Sequence, residues 1–106
     1  MIDINNIRII YNKGAVVLTQ HFLDRIGIRG ISLKNISTII NDGEIIERYP
    51  DDYPHPSMLL SGCIEDNTPV HVVLGAGNGV IWLITAYHPD SEKWENDNKT
   101  RKAEIK

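Results

Sequence analysis

The sequence predicts an α+β fold, in which N-terminal helices pack on an antiparallel β-meander of about four strands. Apolar residues up to Asp42 recur at helical spacing, whereas beyond Gly43 they occur in short strand-like runs separated by turn residues. Helices followed by consecutive strands are typical of α+β domains. The chain has 106 residues, which is the length of one domain with a single core. We therefore expect one domain over 1–106.

The amino-terminal part is predicted to hold a leading helix and a short strand. Apolar residues at 4, 7, 10 and 11 have near-helical spacing, with Asp3 as a candidate N-cap and Gly14 as the end of the helix. The largely β-branched run 15–18 is a candidate strand that leads into the next helix.

Two further helices should follow, each with a polar N-cap and a terminal glycine. Thr19 would cap a helix over 20–26 that ends at Gly27. Ser32 would cap a helix over 33–41 that ends at Gly43. The apolar residues of this last helix form one stripe that should face the core.

Four strands are predicted beyond these helices, over 44–49, 57–64, 70–75 and 80–88. Three prolines make the segment between the first two strands a loop. Asn78-Gly79 is the standard pair for a tight hairpin turn. After Pro89 the charged tail is predicted to form one short helix, which Trp94 would dock on the domain.

The composition predicts a soluble cytoplasmic protein. Apolar residues make up 42% and charged residues 24% of the chain, as in ordinary globular domains, and no apolar stretch is long enough to span a membrane. The first residues lack the pattern of a secretory signal. The single cysteine, Cys63, cannot form an internal disulfide, and we expect it to be a buried strand residue.

The charge distribution is uneven. The formal net charge is −3, whereas proteins that bind nucleic acid through phosphate electrostatics are usually basic. Acidic residues cluster around 42–52, and basic residues gather near the C-terminus, at Lys93, Lys99, Arg101, Lys102 and Lys106. This balance weakens an RNA-binding interpretation without excluding it.

Several polar residues are candidates for chemistry. His21 and Arg25 are four positions apart on one predicted helix, where a guanidinium could hold a phosphate while an imidazole transfers a proton. The pair by itself is a weak signal, and a solvated helix face is the more common explanation. Thr85 and Tyr87 share one face of the last strand. His71 lies between apolar neighbours, where a histidine is more often a hydrogen-bonded core residue than a catalyst.

Two other patterns point to ordinary structure. The glycines of GAGNGV lie between two strands, whereas a phosphate-binding loop precedes a helix, so they indicate a hairpin turn. The four histidines and one cysteine lack the spacing of a zinc site, so no metal is expected.

Several motifs in order resemble an uncharacterised bacterial domain family related to the RelE and BrnT ribonuclease toxins. They are LTQHFLDRIGIRG, GEIIERYPDD, PVHVV and ITAYHPD, followed by Trp94 and a basic end, and together they cover residues 18–102. The resemblance implies a RelE-like fold of the barnase–RelE type. It also implies a metal-independent endoribonuclease without a cofactor, in which the ribose 2′-hydroxyl attacks the adjacent phosphate.

The resemblance also assigns roles by position. His21 would be general base or acid, Arg25 would hold the scissile phosphate, and His71 would be a second proton-transfer residue. Thr85 and Tyr87 would position phosphate and base. Arg101 and Trp94 would bind the RNA, and all the catalytic groups would have to share one cleft on the sheet.

The implied partners are an RNA substrate, free or ribosome-bound, and a cognate antitoxin, in some relatives a small zinc-finger protein. Exposed strand edges are compatible with a homodimer. The extension 1–17 lies outside the resemblance, and we expect a helix there that packs on the sheet or contacts the antitoxin. Two alternatives stay open: a non-catalytic protein-interaction domain of the same fold, and a different phosphodiester or nucleotide chemistry at the same residues.

Overall fold

The structure is a computed structural model that describes residues 3–103. Within this range the chain forms three helices and a five-stranded mixed sheet, which confirms the α+β class. The helices are α1 (Ile4–Asn12), α2 (Gln20–Ile28) and α3 (Leu33–Asp42). The strands are β1 (Val16–Val17), β2 (Glu44–Tyr49), β3 (Ser57–Ile64), β4 (Thr68–Gly77) and β5 (Val80–Tyr87), with a 3₁₀ turn, Glu65–Asn67, between β3 and β4. None of these helices has the length and apolarity that crossing a membrane requires.

The three predicted N-caps are confirmed. The Asp3 carboxylate accepts from the Asn6 amide at 2.9 Å, and the Thr19 hydroxyl accepts from the Phe22 amide at 3.1 Å. Ser32 and Asn35 form a reciprocal capping box at the start of α3. These side chains satisfy amides that a helix leaves unpaired at its first turn.

The predicted end of α2 at Gly27 is wrong, because the helix continues through Ile28. Gly30 adopts a φ of +70°, and the amide of Ile31 donates to the carbonyl of Ile26 at 2.9 Å. The amide of Gly30 also donates to the carbonyl of Gly27. This pair of bonds is a Schellman motif, which needs a left-handed residue after the helix, and Gly30 supplies it.

The sheet has the strand order β1-β5-β4-β3-β2. The four longer strands form the predicted antiparallel meander, and β4 and β5 are joined by a tight turn at Asn78 and Gly79, both with positive φ. The sheet is mixed because β1 pairs in parallel with β5, Val16 opposite Ile81. Such a long-range parallel pairing leaves no local signal in the sequence.

All three helices pack on one face of the sheet. The core between them contains Ile7 of α1, Phe22 and Ile26 of α2, Ile36, Ile39 and Ile40 of α3, and the inward-facing residues of β3, β4 and β5. The leading helix is also tied to α3, because Arg8 Nη2 donates to the carbonyl of Gly43 at 2.8 Å. The expectation of an N-terminal helix packed into the domain is therefore met for the described residues, while Met1 and Ile2 lie outside them.

The C-terminal segment, residues 89–103, lies across the opposite face of the sheet and is not the single short helix that the sequence predicts. It forms turns and an isolated antiparallel bridge between Trp94 and Arg101. The Asp97 carboxylate accepts from the amides of Lys99 and Thr100, at 2.9 and 3.0 Å, and so stabilises a turn instead of a helix. Docking by Trp94 is confirmed, since it is 3% exposed, whereas Lys106 lies outside the described residues.

Cys63 is exposed, contrary to the expectation of a buried strand residue. It lies opposite Pro69 near the end of β3, on the sheet face that the helices do not cover. The strand period alone cannot distinguish the covered part of that face from its open end.

Candidate functional site

The sheet face opposite the helices, called the outer face, carries a cluster of polar and aromatic side chains. His71 of β4 lies directly between Ser61 of β3 and Tyr87 of β5 in the strand register. The rings of His71 and Tyr87 meet edge to face, with centroids 5.5 Å apart. Because their strand neighbours Val72 and Ala86 belong to the helix-side core, His71 and Tyr87 point to the outer face.

The C-terminal segment covers His71 completely. The Trp94 ring stands perpendicular to the imidazole at 4.6 Å between centroids, and His71 is 0% exposed. Its Nε2 lies 2.6 Å from the carbonyl oxygen of Asn98 and must donate, since a carbonyl can only accept. Its Nδ1 is buried without a hydrogen-bond partner among the described residues.

This environment favours a neutral imidazole. Burial lowers the pKa of His71 below its ordinary value, because the charged ring would lose its hydration. The proton on Nε2 leaves the lone pair on Nδ1. The ring is therefore a buried base that solvent reaches only if the C-terminal segment moves.

A carboxylate–guanidinium pair lies beside this ring. Arg101 donates to both carboxylate oxygens of Glu47, from Nε at 2.7 Å and from Nη2 at 3.0 Å. The guanidinium also stacks over the Trp94 ring, 4.5 Å from its centroid. Bidentate geometry and stacking together make this pair more specific than an ordinary surface ion pair.

Hydrogen bonding within this pair and burial around it determine the protonation states of the cluster. Hydrogen bonding to Arg101 lowers the pKa of Glu47, so that carboxylate is ionised at neutral pH. The Tyr49 hydroxyl donates to the same carboxylate, and burial next to this negative charge raises the pKa of Tyr49. Burial likewise raises the pKa of Tyr87. The site therefore combines one ionised carboxylate, one permanent cation and two protonated phenols.

Four of the sequence-predicted residues meet in this cluster: His71, Tyr87, Trp94 and Arg101. Thr85 lies on the same strand but is held at its edge, where its hydroxyl accepts from Arg29 Nη1 at 3.3 Å. The same nitrogen donates to the carbonyl of Ala86 at 2.9 Å. Arg29 thus ties the end of α2 to β5.

His21 and Arg25 are not part of the cluster. Phe22 and Ile26 anchor α2 in the core on the helix side of the sheet, and this leaves His21 and Arg25 exposed there. Within residues 3–103 neither of these side chains has a hydrogen bond or an ion pair. The expectation that all five catalytic candidates share one cleft is therefore wrong, because the sheet and the core separate His21 and Arg25 from His71 and Tyr87.

The sequence reasoning missed Glu47, Tyr49 and Asn98. Glu47 and Tyr49 are two positions apart on a predicted strand, so their shared face could have been recognised in the same way as that of Thr85 and Tyr87. The partnership of Glu47 with Arg101 joins positions 54 apart in sequence and has no local signal. In the part of the chain that the structure describes, no group of three or more His, Cys, Asp or Glu residues is placed to hold a metal ion.

A known domain family matches most of the helices and strands described above. The family described as "Domain of unknown function (DUF4258)" matches residues 18–88, about two thirds of the chain. No curated protein matches the chain, and no solved structure does. The matched region runs from just before α2 to the end of β5 and contains Glu47, Tyr49, His71 and Tyr87, but stops before Trp94 and Arg101. On this match, the chain belongs to the DUF4258 family.

Proposed function

We propose that this protein is a toxin-type endoribonuclease that cleaves RNA without a metal ion. The observation that carries the proposal is the convergence of Glu47, Arg101, His71 and Tyr87 on one face of the sheet. The bond between the ribose 2′-oxygen and phosphorus would form while the bond to the 5′-oxygen breaks. That reaction needs a base for the 2′-hydroxyl, an acid for the departing oxygen and a cation for the phosphorane.

The members of the cluster that solvent reaches can meet these needs: Arg101 is exposed, and Glu47 and Tyr87 are partly exposed. The ionised Glu47 accepts the proton of the 2′-hydroxyl, and Arg101 neutralises the charge that develops on the phosphate. The Tyr87 phenol is protonated at neutral pH and donates to the 5′-oxygen, since the Tyr49 hydroxyl already donates to Glu47. His71 packs against Tyr87 and Trp94 beneath the cluster and supports it, and its Nδ1 has no hydrogen-bond partner among the described residues.

The partners follow from the same proposal. An acidic chain gains little affinity from phosphate electrostatics alone, so a structured or ribosome-bound RNA is the expected substrate. An antitoxin would restrain the enzyme in the cytoplasm, and the RelE-like relationship belongs to this proposal as well.

The test is cleavage of total RNA and of a short synthetic RNA in EDTA, with and without ribosomes. Glu47→Gln is compared with Glu44→Gln, a matched control, because Glu44 also binds the C-terminal segment, through Lys99 at 3.0 Å, but lies outside the cluster. Removal of a general base typically lowers the rate by about 10²- to 10⁴-fold. We expect that loss for Glu47→Gln only, with 2′,3′-cyclic phosphate ends in the products of the parent protein.

His21→Ala belongs in the same experiment, because the family resemblance assigns catalysis to His21. We expect it to retain activity, since His21 faces solvent on the other side of the sheet. Absence of cleavage by the parent under all conditions would remove the ribonuclease proposal.

A non-catalytic interaction domain is the second candidate. It is favoured by the complete burial of His71 under Trp94, because a buried, hydrogen-bonded histidine can serve packing alone. Under this alternative, substitution of His71 or Glu47 lowers stability, and the parent protein has no nuclease activity to lose.

A further inference from the structure

A second aromatic feature lies farther along the outer face, toward the β4–β5 turn. Trp82 of β5 lies opposite Gly75 of β4, and Ile84 lies beside them. Because Gly75 has no side chain, the backbone forms the floor of a groove of about 240 Å³. The loop between β2 and β3 forms its wall. We call this site the aromatic groove, and its lining includes Asp52, Tyr53, His55, Gly75, Trp82 and Ile84.

The wall of the groove is firmly attached to the sheet. The carbonyl of Pro56 accepts from the Ala76 amide at 3.0 Å, and the Ser57 hydroxyl donates to the Asp52 carboxylate. The His55 ring stacks on Trp82, with centroids 5.4 Å apart and planes 24° from parallel. The groove is therefore a built feature of the fold and not a gap beside a loose loop.

The chemistry of the groove indicates a cationic occupant with an apolar stem. Its wall carries the Asp52 carboxylate, Asp51 precedes it, and no Lys or Arg is among its described lining residues. Tyr53 is 95% exposed, so an aromatic ring stands in solvent next to the groove. Carboxylates repel a phosphate group, whereas aromatic faces and a carboxylate attract a guanidinium.

The chain already contains an example of this recognition. On the same sheet face, Arg101 stacks 4.5 Å from the Trp94 ring centroid and donates to the Glu47 carboxylate. The aromatic groove also holds a tryptophan and a carboxylate, but there the His55 ring stacks on one side of the tryptophan and no arginine is among the described lining residues. We propose that the aromatic groove binds an arginine side chain of a basic partner protein, and this inference does not depend on the proposed nuclease activity.

The test is titration of the ¹⁵N-labelled protein with a short arginine peptide and with the same peptide carrying citrulline, which keeps the shape but lacks the charge. The chain has two tryptophans, so the two indole N–H signals report separately on Trp82 and Trp94. We expect the arginine peptide to shift the Trp82 signal with at least about tenfold higher affinity than the citrulline peptide. Equal binding of both peptides, or no shift of Trp82 at the highest soluble concentration, would overturn the proposal.

Single substitutions test whether the arginine peptide binds at the aromatic groove. Trp82→Ala and Asp52→Asn, both followed through the backbone amide signals of the groove, should each weaken binding of the arginine peptide by about three- to tenfold. Asp66→Asn is the matched control, because Asp66 is another exposed acid, on the turn between β3 and β4, and the variant should bind as the parent does. A loss of binding in Asp66→Asn, or a short RNA that shifts Trp82 in preference to the arginine peptide, would also overturn it. RNA cleavage measured on the same variants separates this inference from the nuclease proposal.

Discussion

Arg101 donates hydrogen bonds to both carboxylate oxygens of Glu47, from Nε at 2.7 Å and from Nη2 at 3.0 Å, although the two residues are 54 positions apart in the sequence. The same guanidinium covers the Trp94 ring, which in turn covers His71. One contact therefore fastens the C-terminal segment to β2 and completes the polar cluster of the outer face. A substitution that weakens this contact should therefore loosen the C-terminal segment and also expose His71 to solvent.

Replacing Arg101 by Lys should loosen the C-terminal segment. Lysine keeps the charge but cannot form the two parallel bonds to Glu47 or stack flat on Trp94. We expect Arg101→Lys to lower the free energy of unfolding by about 1 kcal/mol, measured by urea denaturation. Lys99→Ala removes the ion pair of this segment with Glu44, and should have a much smaller effect because both side chains of that pair are solvated. Equal losses in the two variants would contradict this ranking.

Replacing Trp94 by Ala should uncover His71. Truncation of a buried tryptophan typically costs about 3–5 kcal/mol, and we expect the lower end here because the segment lies at the surface of the domain. Water would then reach the imidazole, and its lowered pKa should rise toward the ordinary histidine value. An NMR titration of the histidine signals measures this change. An unchanged His71 pKa in a folded Trp94→Ala protein would show that the segment does not control its solvation.

Stability should fall as the solution is acidified through the ordinary histidine range. The pKa of His71 is lower in the folded state than in the unfolded state, where it is about 6.5. The unfolded chain therefore binds the proton first, so this contribution is fully present above the unfolded pKa and is lost as the pH falls through the folded pKa. Urea denaturation at a series of pH values should show this loss in the parent and in His21→Ala. His71→Gln, which keeps a polar side chain but cannot titrate, should show a flatter profile over the same range.

Alanine substitutions at two glycines near the end of α2 should change the stability of the protein in opposite directions. Gly27 lies inside the helix and an added Cβ meets no atom within 4 Å, so Gly27→Ala should stabilise the protein by about 0.5–1 kcal/mol. Gly30 has a φ of +70°, where an L side chain is strained, so Gly30→Ala should destabilise it by about 1 kcal/mol. Thermal unfolding of the two variants measures the difference. Stabilisation by both would show that the helix does not end in the left-handed conformation described here.

Local signals in the sequence determined much of the fold. Asp3, Thr19 and Ser32 mark the starts of the three helices because each side chain satisfies amides within its own first turn. Asn78 and Gly79 specify the turn between β4 and β5 because both accept a positive φ. Strand alternation predicted that Thr85 and Tyr87 share one face, and their register opposite Val73 and His71 of β4 agrees with this.

Only the tertiary structure decided how these elements combine into a site. His21 and His71 are both plausible proton-transfer residues in the sequence, but the burial of Phe22 and Ile26 directs α2 to the helix side and leaves His71 on the other. Trp94 docks as predicted, yet the turn at Asp97 replaces the predicted helix and brings Arg101 to Glu47. The physical reason is the range of the interactions: caps, turns and alternation act within a few residues, whereas the cluster joins strands and a segment that meet only after the sheet has formed.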